Sequence, residues 1–330
     1  MTERERFIQA LKCQPVSGRV PHFELVFFLT MEVLGKVHPE HRSYHQWKQM
    51  SLPEKKLHID DISNLYIDIA RKYNHSAIFV HHSPNDFNAI CEILESIREK
   101  TGSEFFLMMH GDPTFPMPDG ASMLDFTAQL YEEPERMHDV AAKRLNTHVD
   151  IAAKLLARGR RLLDGFALCA DYCFNTGPFF AGQLFDDFIG PYLKDVITHY
   201  REMGFYTIKH TDGNIMPILD QLVSCGPDAL HSLDPQGGVD LAEVKKRYGG
   251  KICLIGNVNC GLLQTGSHDE CVADIRRSLS AGMDGYGYIF STSNCVYTGM
   301  PLERYELMHK TWLEEGVYAH ETNAAAEYHE

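Results

Sequence analysis

The sequence has little positive charge. It carries 31 Lys and Arg against 45 Asp and Glu, a formal charge of −14, and no basic run longer than Arg158, Arg160 and Arg161. Binding to nucleic acid or to an anionic membrane surface needs a basic patch, so these composition figures exclude both as partners. A substrate bearing many carboxylates would need local Arg or Lys to overcome the same field. No stretch of about 18 apolar residues occurs, so no span of a bilayer is expected. Met1 to Ala10 is charged and helical in character, with no apolar signal core. The nine cysteines form no CxxC pair. An odd number of scattered thiols without a signal core points to reduced cysteines in the cytoplasm. No GxGxxG follows the first strand-like run and no GxxxxGK[ST] appears, which removes the dinucleotide and phosphate-loop folds. A short internal repeat and a Pro/Ser/Gly-rich linker are both missing.

What is present is an alternation of short apolar runs with longer amphipathic ones. Strands are expected at Val20–Phe28, Ser76–His82, Glu104–His110, Leu162–Tyr172, Tyr206–His210, Ala229–Leu233, Lys251–Ile255 and Tyr286–Ser291. Helical patterns cover Pro53–Tyr73, Phe87–Lys100, Met123–Tyr131, Pro134–Ala157, Leu184–Met203, Ile215–Ser224, Leu241–Tyr248, Asp269–Ala281 and Pro301–Glu315. Alternating β and α units imply a parallel sheet. Eight of them fit a closed (β/α)8 TIM barrel of α/β class better than an open doubly wound sheet. Thr2–Lys12 reads as an N-terminal helical extension with Thr2 as its cap. Residues 1–318 are expected to form one barrel domain, with 319–330 a small, polar, mobile tail. The long segment Leu29–Pro53 is expected to cover the barrel mouth.

Active sites of such barrels lie where the strands end. The strand-like runs carry or end in Glu24, His81-His82, His110-Gly111-Asp112, Asp171-Tyr172-Cys173, His210-Thr211-Asp212-Gly213-Asn214, Asp234, Asn257 and Asn294-Cys295. Acid/base and metal-ligand residue types thus crowd one rim. The sharpest local signal is His210-x-Asp212, because residues two apart on an extended segment point the same way. Zinc accepts imidazole, carboxylate and thiolate. His210 and Asp212 could share an ion, with Cys295 from across the barrel and Glu24 or Asp171 completing the shell. Equally, Asp212 and Gly213 read as a turn, with His210 bonded to a neighbour. Asp171 and Tyr172 are candidates for proton transfer or substrate orientation, and Asp212 joins them if no metal binds. His81, His110, Asp234, Asn257 and Asn294 are candidate substrate contacts. Cys169 and Cys173 read as core packing. Phe23, Phe27, Phe28, Phe179 and Phe180 suggest an apolar aromatic wall.

Several of these runs also resemble a known family. Lys209-His210-Thr211-Asp212-Gly213-Asn214, Leu233-Asp234-Pro235, Gly256-Asn257, Ser293-Asn294-Cys295 and Gly299-Met300-Pro301 occur in the order found in the uroporphyrinogen decarboxylase superfamily. The branch most similar contains the corrinoid-dependent methyltransferases, including those of O-demethylase systems. The resemblance implies a (β/α)8 barrel. It also implies zinc held by a His-x-Cys on the fifth strand and a Cys near the end of the eighth. His210 matches the His, Asp212 stands in place of the first Cys, and Cys295 lies at or beside the last. Zinc as a Lewis acid would activate an ether oxygen, and the methyl group would pass to reduced cobalt. The chain has no DxHxxG cobalamin motif, so the corrinoid is expected on a partner protein docking at the barrel mouth. The aromatic wall favours a methoxylated aromatic donor. Two other functions compete: a metal-independent lyase acting on a carboxylic acid, and a non-catalytic tetrapyrrole- or corrinoid-binding protein. Tetrapyrrole decarboxylases hold their substrate with arginines after the first strand, whereas Leu29 to Glu40 contains only Lys36.

Overall fold

Seven apolar runs become the strands of one sheet, and most of them are buried on both faces, as parallel strands covered by helices must be. The computed structural model describes residues 1–158 and 162–318; the expected tail at 319–330 lies outside the described residues. In chain order the strands are β1 (Val26–Phe27), β2 (Ala77–Val80), β3 (Phe106–His110), β4 (Gly165–Cys169), β5 (Cys173–Phe174), β6 (Gly177–Pro178), β7 (Tyr206–Thr211), β8 (Ala229–Ser232), β9 (Cys253–Val258), β10 (Tyr288–Thr292) and β11 (Cys295–Val296). The sheet runs β10-β9-β8-β7-β4-β3-β2. Every pairing in it is parallel.

The gap between the outer strands β2 and β10 is bridged by residues 21–24. The His22 carbonyl accepts the Ser76 N–H at 2.6 Å. On the other side the Pro21 carbonyl accepts the Phe290 N–H at 2.8 Å, and His22 forms a parallel bridge with Phe290. The result is the expected TIM-barrel-like α/β ring. Its first member differs from the expectation of one continuous strand over Val20–Phe28. After Glu24, whose carboxylate accepts the Thr292 N–H at 3.3 Å, the chain leaves the ring. Val26–Phe27 then pairs with Cys295–Val296 in a separate two-stranded ribbon.

The helices sit where the amphipathic pattern places them, with their ends set by local chemistry. Ser51 and Glu54 form a capping box at the start of Leu52–Lys72, and Ser267 and Glu270 do so for His268–Met283. The single helix expected over Leu184–Met203 is two, Gln183–Phe188 and Gly190–Glu202, because Pro191 interrupts the first and starts the second. The expected lid, Leu29–Pro53, folds around a short helix Thr30–Leu34 and two single turns.

The N-terminal helix Glu3–Leu11, capped by Thr2, closes the end of the barrel opposite the candidate site. Phe7 is fully buried against Phe23 and Phe106. Arg4 meets the buried Asp164, just before β4, at 2.7 Å, and Arg98 meets the other oxygen of that carboxylate at 2.5 Å.

Candidate functional site

Because all seven strands are parallel, their C-terminal ends share one rim. Register decides what meets there. Cys169 of β4 lies beside His210 of β7, and His210 lies beside His231 of β8. Residues in register on neighbouring strands point to the same side, and here His210 and His231 are both buried. Their Nδ1 atoms are 2.7 Å apart. That contact leaves the His210 Nε2 directed at two carboxylates: Asp212 Oδ1 at 3.7 Å and Asp171 Oδ1 at 3.9 Å.

Each carboxylate is held in place by its neighbours. Asp171 Oδ1 accepts the Asp212 backbone N–H at 2.9 Å. Asp212 accepts the Ser232 hydroxyl at 2.6 Å on Oδ1 and the Asn294 amide on Oδ2. Burial pushes the Asp212 carboxyl up, with Asp171 and Asp234 adding to the effect and His210 and Ser232 opposing it. Ser232 sits at φ 83° and Leu233 at φ 50°. Non-glycine residues in this left-handed region cost about 1–3 kcal/mol each, and such strain gathers at functional sites. The turn after Asp212 requires glycine. Gly213 has φ 79°, and a Cβ there would fall 2.5 Å from the Cys173 carbonyl oxygen.

One donor atom from each of Asp171, His210 and Asp212 lies within 4.8 Å of the others. One imidazole nitrogen and two carboxylate oxygens suit a divalent ion such as zinc. The donor set fits in a second respect. The His210 Nδ1 and both Asp212 oxygens have outer partners of the kind that orient metal ligands. Asp171 is half exposed, which leaves the cluster open to the mouth.

Two residues expected beside His210 lie outside this cluster. Glu24, on the closing segment, accepts the Thr292 hydroxyl at 2.5 Å and the Ser291 hydroxyl at 3.3 Å. Cys295, on β11, donates its thiol to Asn294 Oδ1 at 2.9 Å, and burial pushes that thiol up and keeps it neutral. Asp171, weighed with Glu24 to complete the shell, is the residue that joins His210 and Asp212.

The other expected residues divide. Asn294 holds Asp212. Asp234 accepts the Gly213 and Gln236 N–H groups and ties the β7 turn to the β8 loop. His110 and His81 stand at the ends of β3 and β2, each edge-to-face with Phe79. Burial lowers His110 to about 4 and holds His81 well below the usual imidazole range, so both are neutral at pH 7. Tyr172 and Asn257 are turned away from the rim. Tyr172 is fully buried, its hydroxyl 2.6 Å from Thr114 Oγ1. Asn257 is fully buried too, donating to the Leu233 carbonyl at 2.7 Å and accepting from Arg277 at 3.0 Å. Neither side chain can meet a substrate at the mouth.

Sequence reasoning missed His231, Ser232 and Lys209. His231 and Ser232 lie in an apolar run with no motif. Lys209 precedes the His210 motif, and its ammonium is fully buried on Asp112 Oδ2 at 2.8 Å and the Ala170 carbonyl at 2.8 Å. A lysine inside a strand-like run, where a charge needs a partner, was the available signal.

Burial raises the Glu24 carboxyl from 4.5 to about 8, with the hydrogen bonds from Thr292 and Ser291 opposing that rise. A carboxyl raised on folding favours the folded state while protonated. Its contribution is fully present below pH 4.5 and is lost as pH rises through about 8. The folded protein is therefore expected to lose stability relative to Glu24→Gln between pH 5 and pH 9. Urea midpoints across that range measure the difference; parallel curves would show that Glu24 ionises normally.

A parallel α/β barrel with an imidazole–carboxylate cluster on its C-terminal rim is the class that fold and site define. Residues 81–314 match the family Uroporphyrinogen decarboxylase (URO-D), and the chain belongs to that family. No curated relative matches by sequence. Among solved structures, a methyltransferase from Methanosarcina mazei is similar with a TM-score of 0.68 at 18% identity, over 95% of this chain and 99% of that one. A D-psicose 3-epimerase gives a TM-score of 0.41 at 8% identity, over 88% of this chain and 95% of that one. Only the first is close enough to bear on the fold, which it shares along nearly its whole length. Among the described residues, no helix is long and apolar enough to cross a membrane.

Proposed function

We propose that this chain is a methyltransferase that takes a methyl group from a small methylated donor and passes it to a corrinoid carried by a separate protein. The observation that carries the reading is the convergence of Asp171, His210 and Asp212 at the barrel mouth. Family membership and the likeness to the Methanosarcina mazei methyltransferase support it. A divalent ion held by these three residues would supply Lewis-acid polarisation of the donor's leaving atom. The chain's own residues do the rest. Ser232 and Asn294 fix Asp212, and His81 and His110 offer neutral rings beside Phe79, a surface suited to an apolar or aryl donor. Cys295, bonded to Asn294 Oδ1, is not among the three residues of the cluster.

Charge argues against tetrapyrrole decarboxylation. Lys36 and Arg42, the first two cations after the closing strand, both bind Asp61 at 2.7 Å and are not free to hold carboxylates. The nine free thiols suit a reducing cytoplasm, where we place the reaction. The test is elemental analysis of the purified protein, followed by transfer from methoxylated aromatics to added cob(I)alamin. About one zinc per chain and formation of methylcobalamin are expected. Metal-free protein that decarboxylates an acid would replace this reading with the lyase.

A further inference from the structure

The two Nδ1 atoms of His210 and His231 face each other at 2.7 Å, with ring centroids 4.9 Å apart and planes tilted by 36°. Two bare nitrogen lone pairs repel at that distance, and two N–H groups clash. One proton must therefore sit between the rings. Which ring carries it decides what the His210 Nε2 offers to the rim. A neutral imidazole has one donor nitrogen and one acceptor nitrogen. If His210 carries the proton on Nδ1, its Nε2 presents a lone pair toward Asp171 and Asp212. If His231 carries it, His210 must be protonated on Nε2, and a hydrogen occupies the place of the ion.

The surroundings of His231 allow the first arrangement. It is fully buried, and its Nε2 faces the Ser291 hydroxyl at 3.5 Å. Ser291 in turn donates to Glu24 at 3.3 Å. A proton on the His231 Nε2 therefore has an acceptor in Ser291, whose own hydrogen goes on to Glu24. All four groups then have matched donors and acceptors. This line runs through the barrel interior, away from the mouth, so substrate does not disturb it.

We propose that His231 is the positioning residue of the metal site: its bare Nδ1 accepts the His210 Nδ1–H and thereby aims the His210 Nε2 lone pair at the space between Asp171 and Asp212. The inference rests on the metal reading of that cluster. It assigns His231 no contact with substrate and no part in the reaction itself. Partners of this kind, on the far nitrogen of a ligand histidine, are worth about 10–100-fold in metal affinity.

Two measurements on the full chain test it. The first is nuclear magnetic resonance of zinc-loaded protein carrying isotope-labelled histidine. His210 is expected as the Nδ1–H tautomer, with nitrogen–nitrogen coupling across the hydrogen bond to His231. Assignment uses the signals lost in His231→Asn. The second is titration with Co2+, followed by absorbance, of wild type, His231→Asn and His231→Leu. His231→Asn keeps an acceptor oxygen near the Nδ1 position and is expected to bind within a few-fold of wild type. His231→Leu, which keeps the bulk and loses the acceptor, is expected to bind about 10–100-fold more weakly. Co2+ bound equally by wild type and folded His231→Leu would overturn this inference and leave the metal reading standing. A loaded His210 protonated on Nε2 would overturn both, because that nitrogen could not hold the ion. Wild-type protein that binds no Co2+ would overturn both.

Discussion

His210→Ala is expected to release the bound metal and to lower methyl transfer about a thousandfold or more. Lewis-acid stabilisation of a leaving group contributes several kcal/mol, and each 1.4 kcal/mol is about a tenfold change in rate. His210 is the one imidazole of the cluster, and its neighbours Asp171 and Asp212 are both carboxylates. Removing it leaves two like charges without the ring between them. Asp212 is already held above the ordinary carboxylate range by burial and by Asp171, so its proton affinity should rise further. The measurements are zinc per chain and the rate of methylcobalamin formation, with circular dichroism to confirm the fold. His210→Gln serves as a second variant that fills more of the space. Full metal content with undiminished transfer in both would remove the site from this cluster.

Lys209→Met should produce the largest loss of stability. The Lys209 side chain is fully buried and its partner Asp112 nearly so, at 2.8 Å. The ammonium also bonds the Leu168 and Ala170 carbonyls and lies 4.1 Å over the Tyr172 ring. Removing one partner of such a pair strands the other charge in a low dielectric and costs about 3–5 kcal/mol. Burial by itself would raise the Asp112 carboxyl, but Lys209 and Thr114 outweigh it and hold that carboxyl below its ordinary value. A depressed carboxyl contributes stability above its unfolded pKa of 3.8, and that contribution is lost as pH falls through the lower folded value. Lys209→Met should therefore be least stable, relative to wild type, near neutral pH, with the gap closing in acid. Adding Asp112→Asn removes the stranded charge and should recover part of the loss. Chemical denaturation of the three proteins gives the comparison, and a shift under 1 kcal/mol in Lys209→Met would show the pair to be dispensable.

The same ion pair explains why the site has a fixed shape. Lys209 and Thr211 alternate with His210 along β7. Lys209 fastens Asp112 and Ala170, and the Thr211 hydroxyl accepts the Tyr172 N–H at 3.0 Å. Asp171 is thus pinned on both sides by residues whose own side chains never reach the mouth. Tyr172, expected at the rim, is one of these fasteners. The rim looked crowded in the sequence because loops begin there and loops are polar. Alternation then sorts that crowd, sending some side chains to the mouth and others into the wall.

Period and punctuation made the barrel legible. Apolar runs of strand length, amphipathic runs of helix length and a capping residue such as Thr2 are local properties, and the structure follows them closely. The spacing of His210 and Asp212 was legible for the same reason, since two residues of one strand need no other part of the chain to share a face. The first strand departs from its expected course because the chain leaves the ring after Glu24 and Val26–Phe27 pairs with Cys295–Val296 instead, a pairing that no local signal marks. The rest of the site is a matter of register. Nothing local says that His231 stands beside His210, that Asp171 rather than Glu24 or Cys295 closes the cluster, or that Lys209 finds Asp112 from 97 positions away. Sequence alone determined the elements, their order and the one motif. Only the closing of the ring decided which side chains meet, because each contact depends on how neighbouring strands slide against one another, and that is set by the packing of the whole core.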